Sequence, residues 1–245
     1  MSRGGDVDDT VRKRSGWLIP LGVLLVTAAL SALFLLYYLA PTAPPLFAEQ
    51  VSPTSSTDIA ALEVGGLKFW IPGNYLQFES ARQGGRKREV ALFAALPDLS
   101  GWSNWNAGEF AEGGPNSRIV RMTIREQANL SEADRLSRIY MGYIADPKGR
   151  PGPFELTKYA FRQDSGYNGE DLFVGRSANG SAKGPVVMRC ERAGPNVPSP
   201  TCLRDMPLGK GVGISYRFKR SKLSHWREIE TGIDALLATF EKQPK

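Results

Sequence analysis

Few side chains in this sequence belong to the kinds that do chemistry, and their spacing decides what each could do. His225 is the one histidine in 245 residues. A serine–histidine–acid arrangement would have to run through it, yet no G-x-S-x-G elbow supplies the serine. A lone imidazole without acidic partners at a motif spacing does not make a zinc site either. His225 therefore reads as a surface or capping residue. Gly209, Gly211 and Gly213 in LGKGVGIS invite comparison with a phosphate-cradling loop. Lys210 is misplaced for such a loop, and a strand rather than a helix is expected to follow, so a hairpin connection accounts for them. The carboxylate neighbours Glu228 and Glu230, and Glu170 and Asp171, sit in no recognisable glycosidase signature and read as solvated faces. No metal or cofactor is expected, and the chain reads as an interaction protein rather than an enzyme.

Cys190 and Cys202 stand 12 positions apart around a loop containing Pro195, Pro198 and Pro200. They lack the paired C-x-x-C units of zinc sites and are not a redox C-x-x-C motif, which leaves a structural disulfide as the expectation in an oxidising compartment.

Charge is the remaining chemical signal. Thirty-one Lys and Arg against 25 Asp and Glu leave a formal +6, of which the first sixteen residues hold only +1. Two clusters, Arg82 with Arg86, Lys87 and Arg88, and Arg217 with Lys219, Arg220 and Lys222, are candidate contacts for a partner or an anionic surface. The segment 117–126, SRIVRMTIRE, alternates basic and apolar residues with a period of two, so it predicts a strand with one buried and one cationic face. Trp102, Trp105 and Phe110 lie in a long irregular stretch, 97–116, and are candidate pocket or loop contacts. Nucleic-acid binding is not expected, because no recognition fold is legible and the domain reads as exported.

The elements that must position these residues follow from hydropathy and punctuation. Trp17 to Leu39 carries no charge and is long enough to span a hydrocarbon core of about 30 Å. Its apolar run exceeds that of a cleaved signal peptide, and Arg3, Arg12, Lys13 and Arg14 precede it while the next basic residue is Lys68. The positive-inside rule then predicts an uncleaved anchor with a cytoplasmic tail, residues 1–16, a transmembrane helix, 17–39, a Pro/Ser/Thr-rich linker, 40–58, and a periplasmic domain, 59–245, at a bacterial inner membrane.

Within that domain Gly65-Gly66 between two alternating runs predicts a hairpin, and 89–96 a further strand. A helix opens at Ser131, with Asp134 at its third position, and runs to Ala145. Strands are predicted over 154–161, 171–176, 185–191, 201–207 and 211–219. A closing helix, capped by Ser224, carries the stripe Leu223, Trp226, Ile229, Ile233, Leu236, Leu237 and Phe240. The expected fold is α+β: a mostly antiparallel sheet with two amphipathic helices, preceded by one N-terminal transmembrane helix. The layout recurs among inner-membrane subunits of secretion and envelope machines, a likeness that transfers neither function nor residue roles. The expected function is a non-catalytic membrane-anchored interaction module with protein partners, an accessory subunit of an envelope assembly. A tethered periplasmic ligand-binding domain is the alternative, and an enzyme of unrecognised type the third reading.

Overall fold

The computed structural model describes residues 16–39, 49–127, 130–177 and 184–244. Arg3, Arg12, Lys13 and Arg14, on which the expected orientation rests, lie outside them, as do residues 40–48. The chain forms two bodies, one holding the apolar helix and the other beginning at Gln50. In the first, α1 (Leu18–Leu39) has a mean hydropathy of 2.5 over its apolar window and buries none of it in protein. It is long and apolar enough to cross a membrane. Its Thr27 hydroxyl donates to the Val23 carbonyl, 2.5 Å away, so the helix satisfies its own polar group without water.

The second body begins with a small sheet. β1 (Ile59–Val64) and β2 (Leu67–Pro72) pair antiparallel across Gly65 and Gly66. Both glycines have positive φ, +53° and +82°, the backbone a two-residue type I′ turn requires. After the short α2 (Glu79–Arg82), β3 (Gly85–Arg86) lies parallel on the other edge of β1.

The large sheet is assembled from β4 (Glu89–Ala95), β5 (Ile119–Glu126), β6 (Arg150–Pro151), β7 (Thr157–Ala160), β8 (Glu170–Arg176), β9 (Pro185–Glu191), β10 (Thr201–Gly209) and β11 (Val212–Lys219). Its spatial order is β4-β5-β11-β10-β9-β8-β7-β6, and every neighbouring pair is antiparallel. Strands β6 to β11 form a meander whose last strand closes on β5. The chain leaving β5 must therefore cross to the far edge before the meander can start. It does so over the outer face, and this crossing carries α4 (Glu132–Arg138) and the 3₁₀ turn Tyr140–Tyr143. Tyr140 and Ile144 pack there on Phe161, Leu172 and Val187. The other end of that face is covered by the stretch 97–116, with α3 (Ala107–Ala111), whose Trp102 and Phe110 pack on Phe93, Ala95 and Ile119.

The inner face holds the main core. α5 (Trp226–Phe240) buries Trp226, Ile229, Ile233, Leu237 and Phe240 against Met122, Ile124, Phe173, Ile214 and Phe218, with Leu62, Phe69 and Ile71 of the small sheet in the same core. Leu236 is only partly buried. Gly175 in β8 exists for this packing, since a Cβ there would stand 2.8 Å from the Trp226 ring.

α4 is held by a buried ion pair. The β9–β10 ladder comprises only Cys190–Cys202, Arg189–Leu203 and Met188–Arg204, after which the strands part. Glu132, in the first turn of α4, enters the gap and accepts the Val187 amide at 2.9 Å, the bond a strand partner would otherwise have made. The same carboxylate takes both Arg204 Nε, at 2.9 Å, and an Arg204 Nη, at 2.7 Å. Arg204 also donates to the Tyr216 hydroxyl at 3.1 Å. Burial disfavours the Arg204 charge, but its bonds to Glu132 outweigh that and hold its pKa above the ordinary value. Burial pushes the Tyr216 hydroxyl up to about 12 despite the nearby Arg204.

Several sequence expectations need correction. The helix expected over 131–145 starts as predicted, with the Ser131 hydroxyl accepting the Asp134 amide at 3.0 Å, but stops at Arg138. Ile144 pairs with Phe161 in an isolated bridge, and the Arg162 amide bonds the Tyr143 carbonyl, so the sheet takes the backbone that a longer helix would have used. The strand expected over 154–161 begins only at Thr157, because Phe154 and Glu155 adopt positive φ of 58° and 60°. Ser224 does not cap α5. The 3₁₀ turn Arg220–His225 feeds directly into it, and the Trp226 amide bonds the Leu223 carbonyl. Glu230 and Asp171 do not lie on solvated faces but are 1% and 2% exposed.

Trp226 is the largest fully buried side chain, and its Nε1 donates to the Phe154 carbonyl at 3.1 Å. Trp226→Ala is expected to cost about 3–5 kcal/mol, read by chemical denaturation of the full chain in detergent. A loss below about 1 kcal/mol would show that α5 is not core. Glu132→Ala leaves the buried Arg204 guanidinium with the Tyr216 hydroxyl and the Glu230 carboxylate, 3.6 Å away, and is expected to cost about 3–5 kcal/mol, whereas replacing Glu132 and Arg204 together by Leu and Met should recover part of it, since Glu230 then loses its neighbouring cation. An equal loss in the single and the double variant would contradict the buried pair.

Candidate interaction surface

The cysteines fall where the sequence reading requires. Cys190 and Cys202 face each other across β9 and β10 with their Cα atoms 4.0 Å apart and form a disulfide, both buried in the main core. The bond clamps a ladder of three residue pairs, which explains why a crosslink stands at that place.

The two basic clusters do not meet. Glu89, which follows Arg88, pairs with Arg125, and Arg125 with Gly213 at the start of β11. The second cluster begins four residues further along β11, about 14 Å away at the usual rise, and continues in the opposite direction. Nor does either act as one unit. Arg82 ends α2 and reaches the Leu76 carbonyl, Arg86 pairs with Glu63 on the small sheet, and Lys87 donates its amide to the Glu63 carbonyl. In the second cluster Lys219 is buried, its Nζ 2.6 Å from the Ser199 hydroxyl. Arg220 turns inward and donates to Asp171 at 2.7 Å and to the Glu191 carbonyl at 2.6 Å. Lys222 lines a small cavity with Leu96, Pro97, Arg118, His225 and Ile229. Arg217 alone among the four stays exposed on the outer face of the large sheet.

Asp171 shows how thoroughly the inward cations are used. It accepts from Arg220 and Arg192 and lies 3.1 Å from Lys158. Burial raises its pKa, but these three donors prevail and hold the carboxyl below the usual carboxylate range. On the outer face the acids are matched as well. Glu170 accepts from Arg189 at 2.9 Å, Asp205 pairs with Arg135 at 2.9 Å and with the Ser215 hydroxyl, Glu191 accepts from Thr201, and Glu109 pairs with Arg118.

Between the two covering segments the β5 and β11 strip stays open at Arg121 and Arg217, while the Gln127 side chain lies over Gly213 at its other end. Successive same-face rows across β5 and β11 are Arg121 opposite Arg217, Thr123 opposite Ser215, and Arg125 opposite Gly213. Arg121, Arg125 and Arg217 are exposed. Arg125 bonds Gln127 at 3.2 Å and has Glu89 opposite it on β4. The side chains of Arg121 and Arg217 make no ion pair or hydrogen bond among the described residues, and the two are direct cross-strand neighbours. Like charges so placed are destabilising. The alternation in 117–126 made the cationic face of β5 legible. The facing of Arg121 by Arg217 was not, since it depends on which strand pairs with β5.

Trp102 and Phe110 are spent on covering Phe93, Ala95 and Ile119 rather than on surrounding a cavity, while Trp105 projects into solvent, 98% exposed. His225 is exposed with Glu228 nearby, 3.7 Å away. Among the described residues no group of three or more His, Cys, Asp and Glu side chains is placed to hold a metal ion.

No family model matches this sequence, and no curated protein matches it. Among solved structures the chain is similar to the iron-regulated outer membrane lipoprotein FrpD of Neisseria meningitidis, at 14% identity and a TM-score of 0.49, over 80% of this chain and 98% of that one. It is also similar to Smlt3025, an immunity protein of the Stenotrophomonas maltophilia type IV secretion system, at 16% identity and a TM-score of 0.53. That match covers 79% of this chain and 99% of the immunity protein, so the two share a fold along essentially the whole of the smaller molecule.

Proposed function

We propose that this chain is a non-catalytic interaction module tethered to the bacterial inner membrane by α1, with a cytoplasmic N-terminus and the α+β domain in the periplasm, where it binds another protein of the envelope. The observation that carries the reading is the fold shared with a secretion-system immunity protein over 99% of that protein's length. Three further features support it. The apolar helix precedes the domain in the same chain. The disulfide suits an oxidising compartment. The basic residues before α1 favour retention of the tail inside. The partner is an accessory or target protein of an envelope or secretion assembly.

Two measurements test this. A periplasm-dependent reporter fused after Lys245 should be active and a cytoplasm-dependent one silent, and the reverse would defeat the orientation. Solubilised in mild detergent and purified without crosslinker, the full chain should bring a protein with it in stoichiometric amount. A lone monomer retaining a small molecule would instead establish a ligand-binding domain.

A further inference from the structure

We infer that the uncovered strip of β5 and β11, floored by Arg121 and Arg217, is the docking site for a carboxylate-rich segment of the protein partner; the inference deepens the interaction-module reading and rests on it.

Arg121 and Arg217 occupy directly opposed positions of an antiparallel ladder, where two cations repel, and no acid among the described residues pairs with them. Elsewhere on the same face Arg189 pairs with Glu170, Arg135 with Asp205 and Arg118 with Glu109, and Glu89 stands opposite Arg125. The chain thus places carboxylates opposite its other outer-face arginines but leaves this pair open. An exposed pair of guanidiniums offers two planar forks to carboxylates, each suited to bidentate bonding. Arg125, two rows along, has Glu89 opposite it and bonds Gln127, so the open charge is that of Arg121 and Arg217.

The shape of the site selects the kind of ligand. Trp102 and Phe110 cover the sheet on one side of the strip, over Phe93 and Ile119, and α4 with the 140–143 turn covers it on the other, over Leu172 and Val187. Between Phe93 on β4 and Val187 on β9 lie β5, β11 and β10, so the arginines stand on a face flanked by cover about four strand spacings, or roughly 19 Å, apart. An extended acidic segment fits between such walls. A flat anionic membrane is held off by them, which is why the geometry favours protein carboxylates over lipid head groups.

The test uses the full chain in nonionic detergent and a fluorescent peptide of ten glutamates as the probe. Binding should be measurable at low salt, weaken as salt rises, and fall tenfold or more in Arg121→Glu/Arg217→Glu. Lys148→Glu/Arg150→Glu, an equal charge change on exposed residues at the β6 end, should bind as the unaltered chain does. Arg217→Glu alone supplies the readout a structural role would not give: it replaces repulsion by attraction, so its melting temperature should stay level or rise while peptide binding falls. A lowered melting temperature accompanying the loss of binding would overturn the inference, as would equal losses in the two double variants. Water-soluble dihexanoyl phosphatidylglycerol is the second probe, and strip-dependent binding of it without binding of the peptide would assign the surface to lipid and overturn the inference. Co-purification separates this inference from the broader reading. A partner retained by Arg121→Glu/Arg217→Glu overturns the strip and leaves the interaction module standing. Absence of any partner with the unaltered chain defeats the module, while the peptide measurement still decides the strip.

Discussion

The ladder between β5 and β11 is the constraint on which the rest of the large sheet depends. It joins a hairpin formed early in the chain, β4 and β5, to the last strand of a meander formed late, through the six residue pairs from Val212–Glu126 to Arg217–Arg121. Because β11 takes the place beside β5, strand β6 must start at the far edge, and the chain between them has no short route. It has to cross the outer face. That crossing gives the domain its outer cover, while α5, arriving after β11, is left to close the inner face.

A sheet closed in this way has a weak seam where β9 and β10 part after three pairs, and the molecule reinforces it twice. The Cys190–Cys202 disulfide clamps the seam where the strands are still together, and Glu132 inserts where they diverge. The second device is demanding. A carboxylate and a guanidinium taken out of water gain little over an apolar pair, but each becomes costly if the other is removed. Arg204, Glu132 and Tyr216 thus specify where α4 sits more than they add to stability. The position of α4 in turn sets one wall of the open strip.

The strip itself is the part of the structure whose local energetics run against stability. Cations elsewhere are matched to acids, the buried Asp171 alone serving Lys158, Arg192 and Arg220. Opposed arginines left without acids stand out against that background, in the way that local conflicts tend to mark surfaces shaped for something other than folding.

Periodicity and punctuation in the sequence determined a good deal by themselves. The apolar helix, the Gly65-Gly66 hairpin, the α+β class, the buried stripe of α5, the cationic face of β5 and the pairing of two cysteines were all legible, because each depends on residues close in sequence or on a repeat set by a single element's geometry. What only the tertiary structure decided involves partners distant in the chain. Helix 131–145 ended early because Ile144 found Phe161 across a bridge, and Glu230 and Asp171, read as solvated, proved buried because Ser177 and Arg220 came to meet them. The two basic clusters looked alike in sequence, yet strand order separated them, turned Arg220 and Lys219 toward internal partners, and set Arg217 against Arg121. Side-chain chemistry is written residue by residue, whereas register between remote strands is settled only when the whole core packs, and it is register that turned two ordinary arginines into neighbours.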